Sequence, residues 1–142
     1  MQFDHIGVIA SSLEEGRAAL NAVLEIPSWT EEFADPVNEV YVQFGADSSG
    51  ICYELIAPFG ESSPVTKALS TGKNILSHVA YLVSDLAKER DRLRATGAVA
   101  TSDPKPAVAY GGNQIQFFVT PMRTMIELIE APGHRHRYEN TY

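Results

Sequence analysis

The 142-residue chain has a single cysteine, Cys52, so no disulfide can form within it. A lone thiol fits a reducing compartment, and a cytoplasmic location is the expectation. Positive charge is scarce. Eleven Lys and Arg against eighteen Asp and Glu leave a formal net charge of −7. That balance argues against nucleic acid or an anionic membrane as partner, while still allowing a small anionic substrate held by a local basic group. No stretch approaches the roughly 18 apolar residues of a membrane span. The opening Met1-Gln2-Phe3-Asp4-His5 shows neither the basic region nor the apolar run of a secretion signal. A hydrophobic content of 44% with 20% charged residues is ordinary for a globular protein. One domain, or two small halves sharing a core, is therefore expected.

One stretch occurs twice. Phe3-Asp4-His5-Ile6-Gly7-Val8 reappears as Leu76-Ser77-His78-Val79-Ala80-Tyr81, with His78 lying 73 residues after His5. The same offset carries Glu54 onto Glu127, Leu20 onto Leu93 and Gln43-Phe44 onto Gln116-Phe117. Each half thus holds a histidine and, 49 residues later, a glutamate. The period is too long for a solenoid repeat and reads as an internal duplication.

Within each half the elements follow one order. Residues 3–9 are rich in apolar and β-branched types and read as a strand. Ser11 and Ser12, each followed three residues later by a glutamate, signal a helix start, and Leu13, Leu20 and Leu24 share one helical face. Pro27 ends that element, a short strand is expected between Trp29 and Phe33, and residues 39–57 read as a hairpin around Gly45–Gly50. The second half repeats the plan. A strand spans residues 75–83, a helix capped by Ser84 or Asp85 stops near Gly97, and further strands cover 99–101, 114–119 and 124–130. The expected fold is α+β, with two tandem βαβββ modules at 1–58 and 74–132 forming one domain, a connector at 59–73, and a polar, mobile tail at 133–142.

Side chains alternate faces along a strand. His5, Glu54, His78 and Glu127 each fall on an otherwise apolar face. An unpaired buried carboxylate is costly, and a divalent cation offsets that cost for two at once. Two neutral imidazoles and two carboxylates suit Zn, Co, Ni, Mn or Fe(II), and this donor set does not choose among them.

These residues resemble the vicinal oxygen chelate superfamily, the glyoxalase and bleomycin-resistance fold. Within it the resemblance is strongest to methylmalonyl-CoA epimerases. It is carried by Asp4-His5-Ile6-Gly7-Val8, by Tyr53-Glu54-Leu55-Ile56-Ala57-Pro58 running on to Ser63-Pro64-Val65, by His78 to Leu86, and by Ile126-Glu127-Leu128. The resemblance implies that His5, Glu54, His78 and Glu127 ligate a divalent metal. It implies that two adjacent substrate oxygens take the open coordination positions, and that the metal stabilises an enolate formed by loss of an α-proton. It further implies a catalytic carboxylate at Glu127 and a second at Glu39, a small-molecule substrate such as an acyl-CoA, and a homodimer.

Two other readings stand beside this one. A glyoxalase I-like lyase would use the same chemistry on a different substrate. A metal-free antibiotic-sequestering protein would share the scaffold, although such proteins generally lack the full ligand set. An extradiol dioxygenase fits less well, because four protein ligands leave two open positions and not three. Gln43 and Gln116 read either as pocket hydrogen-bonders or as solvent-facing strand residues. Cys52 reads as a small core residue. His134-Arg135-His136-Arg137 reads either as a metal or phosphate patch or, more simply, as a solvated tail.

Overall fold

The computed structural model describes residues Met1–Tyr142. Its first module comprises β1 (Gln2–Ile9), α1 (Leu13–Leu24), β2 (Ser28–Trp29), β3 (Phe33–Asp35), β4 (Val40–Ala46) and β5 (Cys52–Pro58). A connecting helix, α2 (Thr66–Thr71), leads to β6 (Leu76–Leu82), α3 (Leu86–Ala95), β7 (Val99–Ala100) and β8 (Lys105–Pro106). A 3-10 turn (Val108–Tyr110), β9 (Gln114–Val119) and β10 (Met125–Ile129) complete the second module. The strands form one mixed sheet in the order β2-β4-β5-β1-β6-β10-β9-β7, with β3 beside β4 and β8 beside β9.

The pairing pattern is nearly symmetric about the sheet centre. β1 runs parallel to β5 and β6 parallel to β10, while β1 and β6 pair antiparallel from Gln2 opposite Leu82 to Val8 opposite Leu76. The two modules therefore join through their first strands within a single chain.

Both long helices lie on one face of the sheet. Ser12 caps α1 by accepting a hydrogen bond from the Glu15 amide at 3.1 Å, and Asp85 caps α3 by accepting from Lys88 at 3.0 Å. Each cap satisfies one of the orphan donors of a first helical turn. Leu13, Leu20 and Leu24 then pack with Ile26, Trp29 and Leu55, and Leu86 and Leu93 pack with Val83, Phe118 and Leu128. Burying Leu13, Leu86 and Leu93 contributes about 1.5–3 kcal/mol each, and the half-buried Leu20 and Leu24 contribute less. α1 sits close on β5, since a Cβ at Gly16 would stand 2.8 Å from the Leu55 side chain. The opposite, inner face carries the larger core cluster, including Ile9, Val42, Phe44, Ile56, Ala80 and Ile129.

The two ends of the modules close over that inner face. Asn38 donates to the Pro106 carbonyl at 2.8 Å, and the Val108 amide donates to Asp35 at 3.2 Å. The segment expected to be a mobile, solvated tail is instead docked. His134, His136, Tyr138 and Asn140 are half-buried, whereas Arg135, Arg137 and Glu139 are exposed. This is strand-like alternation, and it is anchored. The Trp29 amide donates to the Asn140 carbonyl at 2.7 Å, the Asn140 amide donates back at 2.9 Å, and Tyr142 stacks under the Arg17 guanidinium at 4.1 Å. A polar composition concealed the docking because every second residue is the one that packs. No helix is long and apolar enough to cross a membrane.

Candidate metal centre

His5 on β1, Glu54 on β5, His78 on β6 and Glu127 on β10 come from four adjacent central strands and turn to the same inner face. One ligand atom from each lies within 4.8 Å of the others, and relative exposures are 0%, 6%, 5% and 3%. His5 Nε2 and His78 Nε2 face each other at 3.1 Å. Glu127 Oε1 is 3.2 Å from the first and 3.1 Å from the second, and Glu54 Oε1 is 3.4 and 3.6 Å from them. A cation held at about 2.0–2.2 Å places neighbouring ligand atoms roughly 3.0–3.5 Å apart. The donor atoms here already stand at that spacing.

The hydrogen-bond inventory points the same way. Glu127 Oε1 is buried and receives no directed hydrogen bond, an unusual state for a carboxylate oxygen. Burial disfavours the charged form of His5, yet the Glu54 charge and contacts with Asp4 and Glu127 raise its pKa well above the ordinary value. Burial likewise works to raise the pKa of Glu127, but His5 and His78 outweigh it and bring it down to about 2. The centre thus draws positive charge to itself. Electron-pair donors aimed at one another are reconciled by a cation between them, so the residues present fit a divalent metal.

Supporting groups orient the imidazoles, and a pair of β-bulges creates them. Strict alternation would place Phe3 and His5 on one face and Asp4 on the other. Instead the pairing of β1 with β6 slips between Phe3 and His5, which turns both Asp4 and His5 inward. Phe3 goes to the helix face and packs edge-on against Tyr81. Asp4 Oδ2 then accepts from His5 Nδ1 at 2.7 Å. A second slip, opposite Gly7 and Val8, does the same for Ser77, whose Oγ lies 3.0 Å from His78 Nδ1. The residue before each histidine therefore holds its Nδ1, leaving Nε2 for the centre. His5 packs edge-on against Phe44 and His78 against Phe117, so the duplication extends to the walls of the site.

Gly7 makes room for this arrangement. It pairs with His78 across the β1–β6 ladder, and a Cβ there would stand 2.3 Å from His78 Cε1. Sequence reasoning assigned no role to Gly7, Asp4, Ser77 or Tyr110, and left His136 between a metal or phosphate patch and a solvated tail. Only the positions of Asp4 and Ser77, each directly before a histidine, offered a signal for any of them.

The remaining candidates are placed differently. Glu39 is not among the four converging groups. It sits half-buried on the turn before β4 with φ of 58°, and its carboxylate accepts from Ser62 Oγ at 2.8 Å. Gln43 and Gln116 are neither pocket hydrogen-bonders nor solvent-facing. Both are buried, and they alternate with the inner-face Phe44 and Phe117. Gln43 accepts from Arg17 of α1 at 2.6 Å and donates to the Thr30 carbonyl at 2.7 Å, while Gln116 donates to the Ser102 carbonyl at 2.9 Å. Cys52 is buried, and burial pushes its thiol up to about 11, which removes it as a nucleophile at neutral pH.

Comparison with known proteins places this geometry. Residues 4–117 match the Glyoxalase/Bleomycin resistance protein/Dioxygenase superfamily. The chain belongs to that superfamily. The uncharacterized protein YqjC of Bacillus subtilis (strain 168) is 29% identical over 140 residues, spanning 95% of this chain and 96% of its own length. The crystal structure of methylmalonyl-CoA epimerase from Mycobacterium tuberculosis superposes with a TM-score of 0.72 at 24% identity, covering 90% of this chain and 86% of that one. The hypothetical protein BH1468 from Bacillus halodurans C-125 gives 0.76 at 21% identity, over 98% of both chains. A Streptomyces coelicolor methylmalonyl-CoA epimerase variant in complex with 2-nitronate-propionyl-CoA gives 0.73 at 20% identity, over 96% and 99%. These likenesses establish the glyoxalase-like fold, an α+β arrangement around a curved mixed sheet.

Proposed function

We propose that this glyoxalase-superfamily chain is a metal-dependent epimerase or isomerase that moves an α-proton of an acyl thioester, with methylmalonyl-CoA as the first substrate to try. The observation that carries the proposal is the convergence of two imidazoles and two carboxylates, from equivalent positions of two duplicated modules, around a buried point where Glu127 Oε1 lacks a hydrogen bond. The resemblance of the fold to methylmalonyl-CoA epimerases supports the substrate class.

His5, Glu54, His78 and Glu127 would hold the cation. When bound, it supplies Lewis acidity toward two adjacent oxygens, such as a thioester carbonyl and a carboxylate, and makes the intervening α-proton more acidic. The other roles fall to the chain. Glu127 takes the α-proton through its carboxylate. Epimerisation requires a second proton carrier on the opposite face of the planar intermediate, and Glu39, held by Ser62 of the connector, is assigned that role. Its left-handed backbone is a local cost for a residue with a side chain, and such costs concentrate at functional sites. Asp4 and Ser77 hold the imidazoles, while Phe44 and Phe117 exclude water around them. With the four groups at most 6% exposed, entry of an acyl thioester requires the covering segments to part.

The deciding experiment is solvent deuterium exchange at the α-carbon of methylmalonyl-CoA, with and without added Co, Mn, Ni or Zn. Metal-dependent exchange is expected. Absence of exchange in protein shown to hold a metal would remove the epimerase reading and leave the metal centre standing.

A further inference from the structure

We infer that the C-terminal segment is a working part of the centre, and that His136 is a positioning residue acting through Asp4 on His5. The inference rests on reading the four converging residues as a metal site. The Asp4 carboxylate is buried and would be costly there without donors. Three donors reach it, each from a different part of the chain. His5 Nδ1 lies 2.7 Å from Oδ2, the Tyr110 hydroxyl of the 3-10 turn donates to Oδ2 at 2.6 Å, and His136 Nε2 lies 3.0 Å from Oδ2 and 3.2 Å from Oδ1. A carboxylate fixed in this way keeps the proton of His5 on Nδ1 and leaves the Nε2 lone pair directed at the centre.

The tail is built to deliver that donor. The His136 ring stacks on Phe44, with centroids 4.2 Å apart and planes 22° from parallel, and Phe44 in turn abuts His5 edge-on. The pairing of Asn140 with Trp29 pins the segment further along. The second histidine has no such arrangement, because its Nδ1 meets only the Ser77 hydroxyl. The duplication offset places Ser63 opposite His136, and the buried Ser63 Oγ has no partner. The two imidazoles are therefore unequal, and the segment following both modules creates the difference.

Two full-length substitutions separate the hydrogen bond from the packing. His136→Phe keeps a ring against Phe44 and removes the donor. His136→Gln removes the ring and keeps an N–H donor. Co(II) titration, read by visible absorption, should show His136→Phe weakened about 10- to 100-fold and His136→Gln within a few-fold of the parent. In Zn-loaded protein labelled with 15N-histidine, His5 should be bound through Nε2 with its proton on Nδ1 in the parent and in His136→Gln, and lose that single state in His136→Phe. Parent-like affinity and an unchanged His5 tautomer in His136→Phe would overturn the inference. So would equal losses in both variants matched by equal losses of thermal stability, which is the pattern of packing alone. Should the parent bind none of Co, Mn, Ni or Zn, the metal reading fails and the inference with it; a parent that binds metal alongside an unaltered His136→Phe overturns the inference alone.

Discussion

Adding one methyl group at Gly7 tests the geometry of the centre without replacing any proposed ligand. In Gly7→Ala the new Cβ would meet His78 Cε1 at 2.3 Å, Nδ1 at 2.6 Å and Nε2 at 2.8 Å. Carbon–carbon contacts settle near 3.5–4.0 Å, so ring and strand must separate by about 1 Å or more. The ring has little freedom, being flanked by His5 at 5.2 Å and Phe117 at 5.0 Å between centroids. Overpacking of this kind costs about 1–3 kcal/mol. The effect on the centre is larger in relative terms, because metal–ligand distances tolerate only about 0.2 Å. Isothermal titration with Mn(II) or Co(II) should show affinity lowered at least 10- to 100-fold, the range seen when supporting groups alone are disturbed. Urea unfolding of the metal-free protein should give the stability loss. A double-mutant cycle supplies the control. In a His78→Ala background the ring is gone, so Gly7→Ala should cost close to nothing. Metal affinity in Gly7→Ala equal to that of the parent, or the same stability loss with and without the His78 ring, would refute the reasoning.

Other expectations follow from the same geometry. Glu127→Gln should abolish α-proton exchange and weaken metal retention, since it removes both a ligand and the proposed proton acceptor; metal analysis after dialysis checks the second effect. Glu39→Gln should slow exchange without lowering metal content, and unchanged turnover would remove Glu39 from the proposal. Gln43→Leu removes one of the two acceptors of Arg17 under α1, leaving Glu32, and leaves the Thr30 carbonyl without its Gln43 donor; it should destabilise by about 1–3 kcal/mol in urea, with Co(II) affinity unchanged because the residue faces the helices. Saturating metal at about 100 times its dissociation constant should stabilise the protein by about 2.7 kcal/mol, reversed by EDTA and read by thermal unfolding. Cys52, buried with its thiol held as an acid to about pH 11, should resist iodoacetamide at pH 8 until the protein is unfolded.

Much of the scaffold was legible in the residues because its signals are local or periodic. Ser12 and Asp85 mark helix starts by the side chains they carry, and Leu13, Leu20 and Leu24 mark a face by their spacing. The constant 73-residue offset ties His5 to His78 and Glu54 to Glu127 in the sequence alone. It could do so because duplication preserves strand position, and strand position fixes which face a side chain takes.

What only the tertiary structure decided lies where that periodicity breaks or where distant segments meet. Two β-bulges bring Asp4 and Ser77 onto the Nδ1 atoms of the neighbouring histidines, and a period of two would send Asp4 away. Gln43 and Gln116 looked like pocket or surface residues, because an amide in a strand gives no indication that the buried Arg17 of α1 will cover the one or that the Ser102 carbonyl will meet the other. Tyr110 and His136 lie 105 and 131 residues from His5 and meet Asp4 only after the second module and the tail fold over the first. The chain alone thus specified the duplicated strands and the donor atoms they carry, through alternation and repetition. The packing of the two modules and the tail decided how those atoms are aimed, because contacts between remote segments leave no period in a sequence.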